Sequence, residues 1–224
     1  MKRYIHKNYQ EYATAQLQKY YKKQRVIFAA DEELIKIAEV VRRLVPQPRF
    51  GICHGVRTGY EVWRLRNLLG IEVIGTDIAP VEQAFGGVTV VRWDFHDRNP
   101  EWIGQADIVY SNSWDHSYDP EQMIKTWIEQ LSPQGILVLS WTPHHAEEVD
   151  AGDCFSCNLD EFLRFLLKHI RIVEIHTVQQ WRHPARSAVF NIARRILKRR
   201  PIKEITVIVC RPNLRVPGNE TSLV

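Results

Sequence analysis

Cysteine is scarce in these 224 residues, with four in all. A disulfide framework of the small secreted kind is therefore excluded, and a reducing, cytoplasmic compartment is the expectation. Long apolar runs are missing too. The longest, such as Ile136–Leu139 and Ile205–Cys210, fall far short of the ~20 residues that cross a bilayer. The stretch MKRYIHKNYQEY has no apolar h-region, so no secretory signal is expected in it. Neither an internal repeat nor a low-complexity tract is visible. What remains is the ordinary composition of one globular domain with short extensions, 45% hydrophobic and 25% charged.

The net charge of +4 hides a segregation. Residues 1–25 carry a net +6, residues 26–180 a net −10 and residues 181–215 a net +9. Two basic segments flanking an acidic middle suit an anionic partner, or solvated basic helices balancing an acidic core.

Periodicity predicts helices over 9–23 and 31–44, the second with Asp31 as N-cap and Leu34, Ile37, Ala38, Val41 and Leu44 on one face. Strands and helices then alternate. Strands are expected at 49–54, 72–76, 88–92, 107–111 and 136–141, with helices at 60–69, near 80–85, at 120–131 behind an Asp119 cap, and at 159–169. Ser132–Gly135 reads as a turn. Two more strands, 172–176 and 205–210, bracket a basic insertion at 179–203. Such alternation predicts an α/β fold, a Rossmann-like three-layer sandwich around a mostly parallel sheet. The expected organisation is a helical extension over 1–29, the domain over 30–212 and a flexible tail over 213–224.

Ligands of such sheets bind where the strand order reverses, beyond the carboxyl ends of the strands. GICHGVRTGYE sets Gly55 and Gly59 between the first strand and its helix. There the chain must turn sharply, and the helix offers its positive N-terminus. Asp77, in VIGTDIAP, lies about 20 residues on, where an acid accepts from a ribose. Asp94, between Trp93 and Phe95, can take the amine of an adenine that the rings bracket.

Together GICHGVRTGYE, VIGTDIAP, VVRWDFHD, ADIVYSNSWDH and LSPQGILVLS resemble, over about residues 30–142, a class I S-adenosylmethionine-dependent methyltransferase. The resemblance implies seven strands with the last antiparallel, S-adenosyl-L-methionine as cofactor and methyl transfer as activity. It implies that Gly55 and Gly59 face the methionine part, Asp77 and the following Ile78 the ribose, and Asp94 and Phe95 the adenine. Ser111 and Asn112 would face the reactive methyl. Two positions depart from the common pattern: Cys53 replaces an acid, and Arg57 replaces the central glycine. The first motif is then similar to a G-x-R-x-G-x-E subgroup, in which Arg57 grips the cofactor carboxylate and Glu61 pairs with Arg57 or accepts from the cofactor amine.

An oxygen or nitrogen acceptor needs a proton removed, and histidine is the usual base. His116, beside Asp115, is the first candidate, His144 or His145 the second, and His54 the third. Asn112 and Trp114 are expected to shape the acceptor pocket. The resemblance adds Trp181, Arg182 and Arg186. Cys154 and Cys157 fit no common zinc spacing with the nearby histidines, so no metal is expected.

Residues 186–200, RSAVFNIARRILKRR, are amphipathic. Packing on the domain, an anionic membrane and nucleic-acid phosphates all remain open as their role. The acceptor expected is anionic: a glycan, sugar phosphate, lipid-linked intermediate or RNA. A catalytically silent binding module is the alternative function. A Rossmann-type oxidoreductase is a weaker one, since Arg57 and Val62 stand where its glycines should.

Overall fold

The computed structural model describes residues 1–181 and 201–213, with the side chains of Trp181 and of residues 201–203 excepted. The predicted insertion helix, Arg182, Arg186, the side chain of Trp181 and the tail beyond 213 lie outside the described residues.

Strand β1 (Lys2–Arg3) is followed by α1 (Tyr9–Lys23) and α2 (Asp31–Leu44). The alternation then runs β2 (Phe50–His54), α3 (Tyr60–Leu69), β3 (Glu72–Asp77), β4 (Val90–Arg92), β5 (Ala106–Ser111) and α4 (Pro120–Gln130). It closes with β6 (Leu131–Trp141), β7 (Phe155–Ser156), α5 (Leu159–Leu167), β8 (Arg171–Trp181) and β9 (Pro201–Arg211). Seven strands form one sheet in the order β4-β3-β2-β5-β6-β9-β8, and β9 alone runs antiparallel to its neighbours. The order reverses between β2 and β5, so the loops after those two strands diverge there and open a crevice.

The strands alternate between two cores, as a sheet covered on both faces requires. Cys53, Ile108, Tyr110, Val138 and Val207 meet α2 and α3 on one face. Ile52, Val109, Leu137, Leu139 and Ile208 meet α4 and α5 on the other. Among the described residues no helix is long and apolar enough to cross a membrane.

Several local expectations are corrected. Ala30, not Asp31, caps α2, and Asp31 is its first helical residue. The Asp31 carboxylate instead accepts from the Tyr60 hydroxyl at 2.7 Å and from Arg64 Nε at 2.8 Å, tying α2 to α3. No helix forms over 80–85. One 3-10 turn at Phe85–Gly87 takes its place, because Gly86 adopts φ +64° and lies against Trp63. Ser132–Gly135 belongs to β6: Leu131 pairs with Ala106 and Ile136 with Ile108, so the four residues bulge beside Asp107. Strands β8 and β9 run on as a long antiparallel pair to Trp181 and Pro201, which leaves a shorter insertion than expected. The sequence also gave no sign of β1, which pairs with β7 in a second, two-stranded sheet.

Gly75 shows how tightly α3 sits on the sheet. A Cβ there would lie 2.7 Å from Val56 Cγ2 and 2.8 Å from Val62 Cγ2. Gly75→Ala is expected to destabilise the fold by about 1–3 kcal/mol through overpacking. Chemical denaturation would register this as a lowered midpoint, and an unchanged midpoint would mean that α3 is seated less closely.

Candidate active site

The turn after β2 is built by backbone geometry. Gly55 and Gly59 have φ of +72° and +74°, which glycine adopts without strain. The Gly55 and Val56 amides both donate to the Thr76 carbonyl, at 2.8 and 3.1 Å. Ser113, from the loop after β5, donates from Oγ to the Gly55 carbonyl at 3.1 Å. A Cβ on Gly55 would meet Ser113 Cβ at 2.7 Å, so only glycine lets the two loops close. Arg57 is held at φ +44°, an uncommon conformation for a side-chain-bearing residue. Its amide donates to Asp77 Oδ2 at 2.8 Å, while Asp77 Oδ1 accepts from the Ala79 amide at 2.9 Å. One carboxylate thus fixes the turns after β2 and β3 against each other.

Between these turns lies a cleft with about 470 Å³ of space. Gly55, Arg57, Asp77, Ile78, Asp94 and Phe95, all expected from sequence, line it. Helix α1 roofs it with Tyr12, Gln16, Lys19 and Tyr20. Burial pushes the Asp77 carboxyl up against the two amides that oppose it. Asp94 is heavily engaged. Oδ1 accepts from the His96 amide and faces His96 Nδ1 at 2.6 Å, and Oδ2 accepts from the Tyr9 hydroxyl at 3.0 Å. Among the described residues the Arg57 guanidinium has neither a hydrogen-bond nor an ion-pair partner; it lies over the Phe28 ring at 4.7 Å. Burial depresses its pKa, and Asp77 and Glu61 oppose the shift.

Arg57, His116 and Lys19 also line a second cleft, together with Asn112, Asp115 and His145. Asp115 is 7% exposed and His145 8%. His116 Nε2 lies 3.9 Å from Asp115 Oδ1 and 3.6 Å from Asp153 Oδ1, and His145 Nε2 lies 3.8 Å from Asp115 Oδ1. Burial raises the Asp115 carboxyl and lowers the His116 imidazole. Burial also works to raise Asp153, but His116 and Lys19 outweigh it and hold that carboxyl below its usual range.

Six expected site residues have other surroundings, among them Gly59, which lines neither cleft and lies against Val88, Val90 and Ala84. Trp114 is fully buried, stacked on Phe162 at 3.9 Å, and donates from Nε1 to the Ser140 carbonyl, so it belongs to the core. Ser111 is buried and donates to the His54 carbonyl, holding its loop rather than facing a ligand. Glu61 is buried beneath the first turn, and desolvation pushes its carboxyl up to about 8. His144 is largely exposed and pairs with Glu147 at 2.9 Å on the rim of the second cleft. His54 is enclosed, stacked on Trp127 at 4.9 Å between Thr76 and Gln130. It touches neither cleft and is no base for an acceptor.

Sequence reasoning missed Ser113, Asp153 and the α1 roof. Tyr12, Gln16, Lys19 and Tyr20 recur at i, i+4, i+7 and i+8, the spacing of one helix face. That signal was present, but polar residues in such a stripe read as a solvated surface.

No protein-family model matches the chain, and no curated protein does. Solved structures are similar. One is the 1,6-didemethyltoxoflavin-N1-methyltransferase of Burkholderia thailandensis with bound S-adenosylhomocysteine, at 15% identity and TM-score 0.64 over 94% of this chain and 92% of that one. A second is the geranyl diphosphate C-methyltransferase of Streptomyces coelicolor A3(2), at 12% identity and TM-score 0.61 over 90% and 98%. A third, the cyclase SpnF, matches at 13% identity and TM-score 0.56 over 90% and 93%. The chain has the class I methyltransferase fold. At these identities the likeness extends to the fold alone, and a cyclase among the neighbours underlines that function must be argued from the site.

The buried titratable groups give a pH signature. Burial lowers the His54 pKa from 6.5 to about 4, although its bond to Gln130 favours the cation. The unfolded chain therefore binds the extra proton first, and stability falls as pH drops from about 6.5 to 4, by on the order of 3 kcal/mol. Glu61 acts in the opposite direction. Its folded carboxyl keeps a proton that the unfolded one releases, so stability falls as pH rises from about 4.5 to 8. Between about pH 4.5 and 6.5 the two slopes oppose each other, so the wild type should stay nearly level there and lose stability from about 6.5 to 8. Thermal melts of Glu61→Gln should expose the His54 limb and those of His54→Gln the full Glu61 limb from about pH 4.5; profiles unchanged from the wild type would disprove the assignment.

Proposed function

We propose that the chain is an S-adenosylmethionine-dependent methyltransferase that methylates an oxygen or nitrogen of an anionic acceptor. One observation supports this: the cleft at the switch point joins a glycine turn, the Asp77 carboxylate at the end of β3 and a half-buried Arg57 guanidinium that has no ion-pair partner among the described residues. A group with an adenosine end and a carboxylate end fits that donor set. Asp77 has lone pairs left for ribose hydroxyls, Phe95 offers an apolar wall, and Arg57 offers a charged fork for the carboxylate. Arg57 in the G-x-R-x-G-x-E turn is then a binding residue rather than a lost glycine. When bound, the cofactor supplies a methyl group on sulfonium sulfur, a good leaving group.

The residues of the chain would bind, orient and exclude water. The α1 roof covers the cofactor cleft, and the second cleft, joined to it through Arg57, Lys19 and His116, would hold the acceptor. Proximity and alignment alone supply much of the acceleration in such a transfer. Glu33, Asp115 and Asp153 also line the second cleft, and Lys19 is paired with Asp153, so the case for an anionic acceptor rests on Lys23 and Arg57, which form no ion pair among the described residues. A silent binding module is the second reading. It is favoured by Asp94, whose oxygens Tyr9 and His96 already occupy.

Calorimetry with S-adenosylhomocysteine and with NAD tests the proposal. The first is expected to bind and the second not. Asp77→Ala and Arg57→Met should each weaken S-adenosylhomocysteine by at least ~1 kcal/mol, about fivefold. If S-adenosylhomocysteine fails to bind at millimolar concentration, the proposal falls. If it binds but labelled methyl never reaches any member of a glycan, sugar phosphate, lipid and RNA panel, the silent module gains.

A further inference from the structure

Asp115, His116 and Asp153 converge from two loops on one point of the second cleft, and their ligand-type atoms all lie within 4.8 Å of one another. We propose that these three side chains hold a divalent first-row transition-metal ion.

The tautomer of His116 is the first support. Gln16 donates from Nε2 to the Gly152 carbonyl at 2.9 Å, which turns its Oε1 toward His116 Nδ1, also at 2.9 Å. Nδ1 therefore carries the proton, and Nε2 presents a bare lone pair. That lone pair faces two carboxylate oxygens at 3.6 and 3.9 Å. The distances are too long for hydrogen bonds. Three electron-rich atoms gather in a half-enclosed cleft, and the Lys19 ammonium, which reaches Asp153 Oδ1, offsets only part of their mutual repulsion. Ligands about 2.1 Å from one ion lie about 3.0–3.5 Å apart, so the three atoms, which lie within 4.8 Å of one another, would draw in by up to about 1.5 Å around the ion.

Asp115 supplies the independent support. Its Oδ1 is buried and has no hydrogen-bond partner among the described residues. Leaving such an oxygen unmatched is costly, and an ion is the partner that its surroundings offer. His145 Nδ1 accepts from the Thr142 amide at 2.9 Å, so Nε2 bears the proton and points toward Asp115. At 3.8 Å that approach is too long for a hydrogen bond, and Asp115 Oδ1 is left without a donor among the described residues. Lys19 already places an ammonium on Asp153 Oδ1, so the point attracts cations, and an entering ion would displace the lysine.

The donor set selects the ion. One imidazole and two carboxylates suit manganese, iron or zinc. Thiolates take no part: Cys154 Sγ donates to the His116 carbonyl, and burial pushes that thiol up to about 12. His116 also lines the cofactor cleft, so the ion would stand between the two ligands. On the methyltransferase reading, on which this last step rests, an acceptor hydroxyl binds the ion and releases its proton to water. Its oxygen then bonds to the methyl carbon as the carbon–sulfur bond breaks and the electron pair stays on sulfur.

The full chain, stripped with chelator, should be titrated calorimetrically with Mn²⁺, Zn²⁺, Mg²⁺ and Ca²⁺. Expected are one equivalent of Mn²⁺ or Zn²⁺ and much weaker Mg²⁺ and Ca²⁺. Asp115→Asn and His116→Gln should each lose at least about tenfold in affinity. Lys19→Met should bind more tightly, because the competing ammonium is gone; no merely structural role for Lys19 predicts that. His176→Gln, on β8 far from the cluster, controls for surface histidines. S-adenosylhomocysteine binding to the stripped protein is measured in parallel, so that failure of the cofactor reading and failure of the metal site are told apart. No stoichiometric binding of any of the four ions, affinity unchanged in both His116→Gln and Asp115→Asn, or weaker binding in Lys19→Met would each overturn the proposal.

Discussion

The half-buried carboxylate of Asp77 is the constraint from which the site follows. It stands at the end of β3 and takes one amide from the turn after β2 and one from its own turn. A carboxylate that accepts from two fixed amides leaves little freedom to either loop. It holds Arg57 in its left-handed conformation, and so sets where the guanidinium projects. The Gly55 turn then meets Ser113 at contact distance, which fixes the loop carrying Asp115 and His116. Both clefts inherit their shape from this chain of backbone contacts.

Much of the framework was legible in the sequence because backbone chemistry announces itself. Positive-φ glycines, an acid at the end of a strand and a Pro-led helix behind Asp119 have few alternatives. Gly55, Gly59, Asp77 and α4 therefore fall where spacing put them. Side chains just past a strand are another matter. In Ser111-Asn112-Ser113-Trp114, spacing cannot tell which way each residue turns. The loop twists through a short 3-10 segment that sends Trp114 into the core and leaves Ser113 on the cleft. His54 sits at the very end of β2, but its ring drops between α4 and the sheet because Gln130 and Trp127 receive it there. Such packing decisions belong to residues distant in the chain, and one sequence does not display them.

Helix α1 shows the same limit on a larger scale. Its polar stripe reads as a surface until the partners across the sheet are known. Tyr9 then reaches Asp94, Gln16 reaches His116 and Gly152, and Lys19 reaches Asp153. Short β1 anchors the segment by pairing with β7, which follows Asp153 and Cys154. The roof and the loop beneath it are therefore stitched at both ends, and the segment before the domain proper is part of its site.

Arg57, Lys19 and His116 each border both clefts. Three shared walls make the two compartments energetically inseparable. A ligand that shifts any of these side chains on one side alters affinity on the other, and the coupling works equally in reverse. Whichever ligand arrives first, the sum of the two binding free energies is the same, and each step depends on what already fills the neighbouring space.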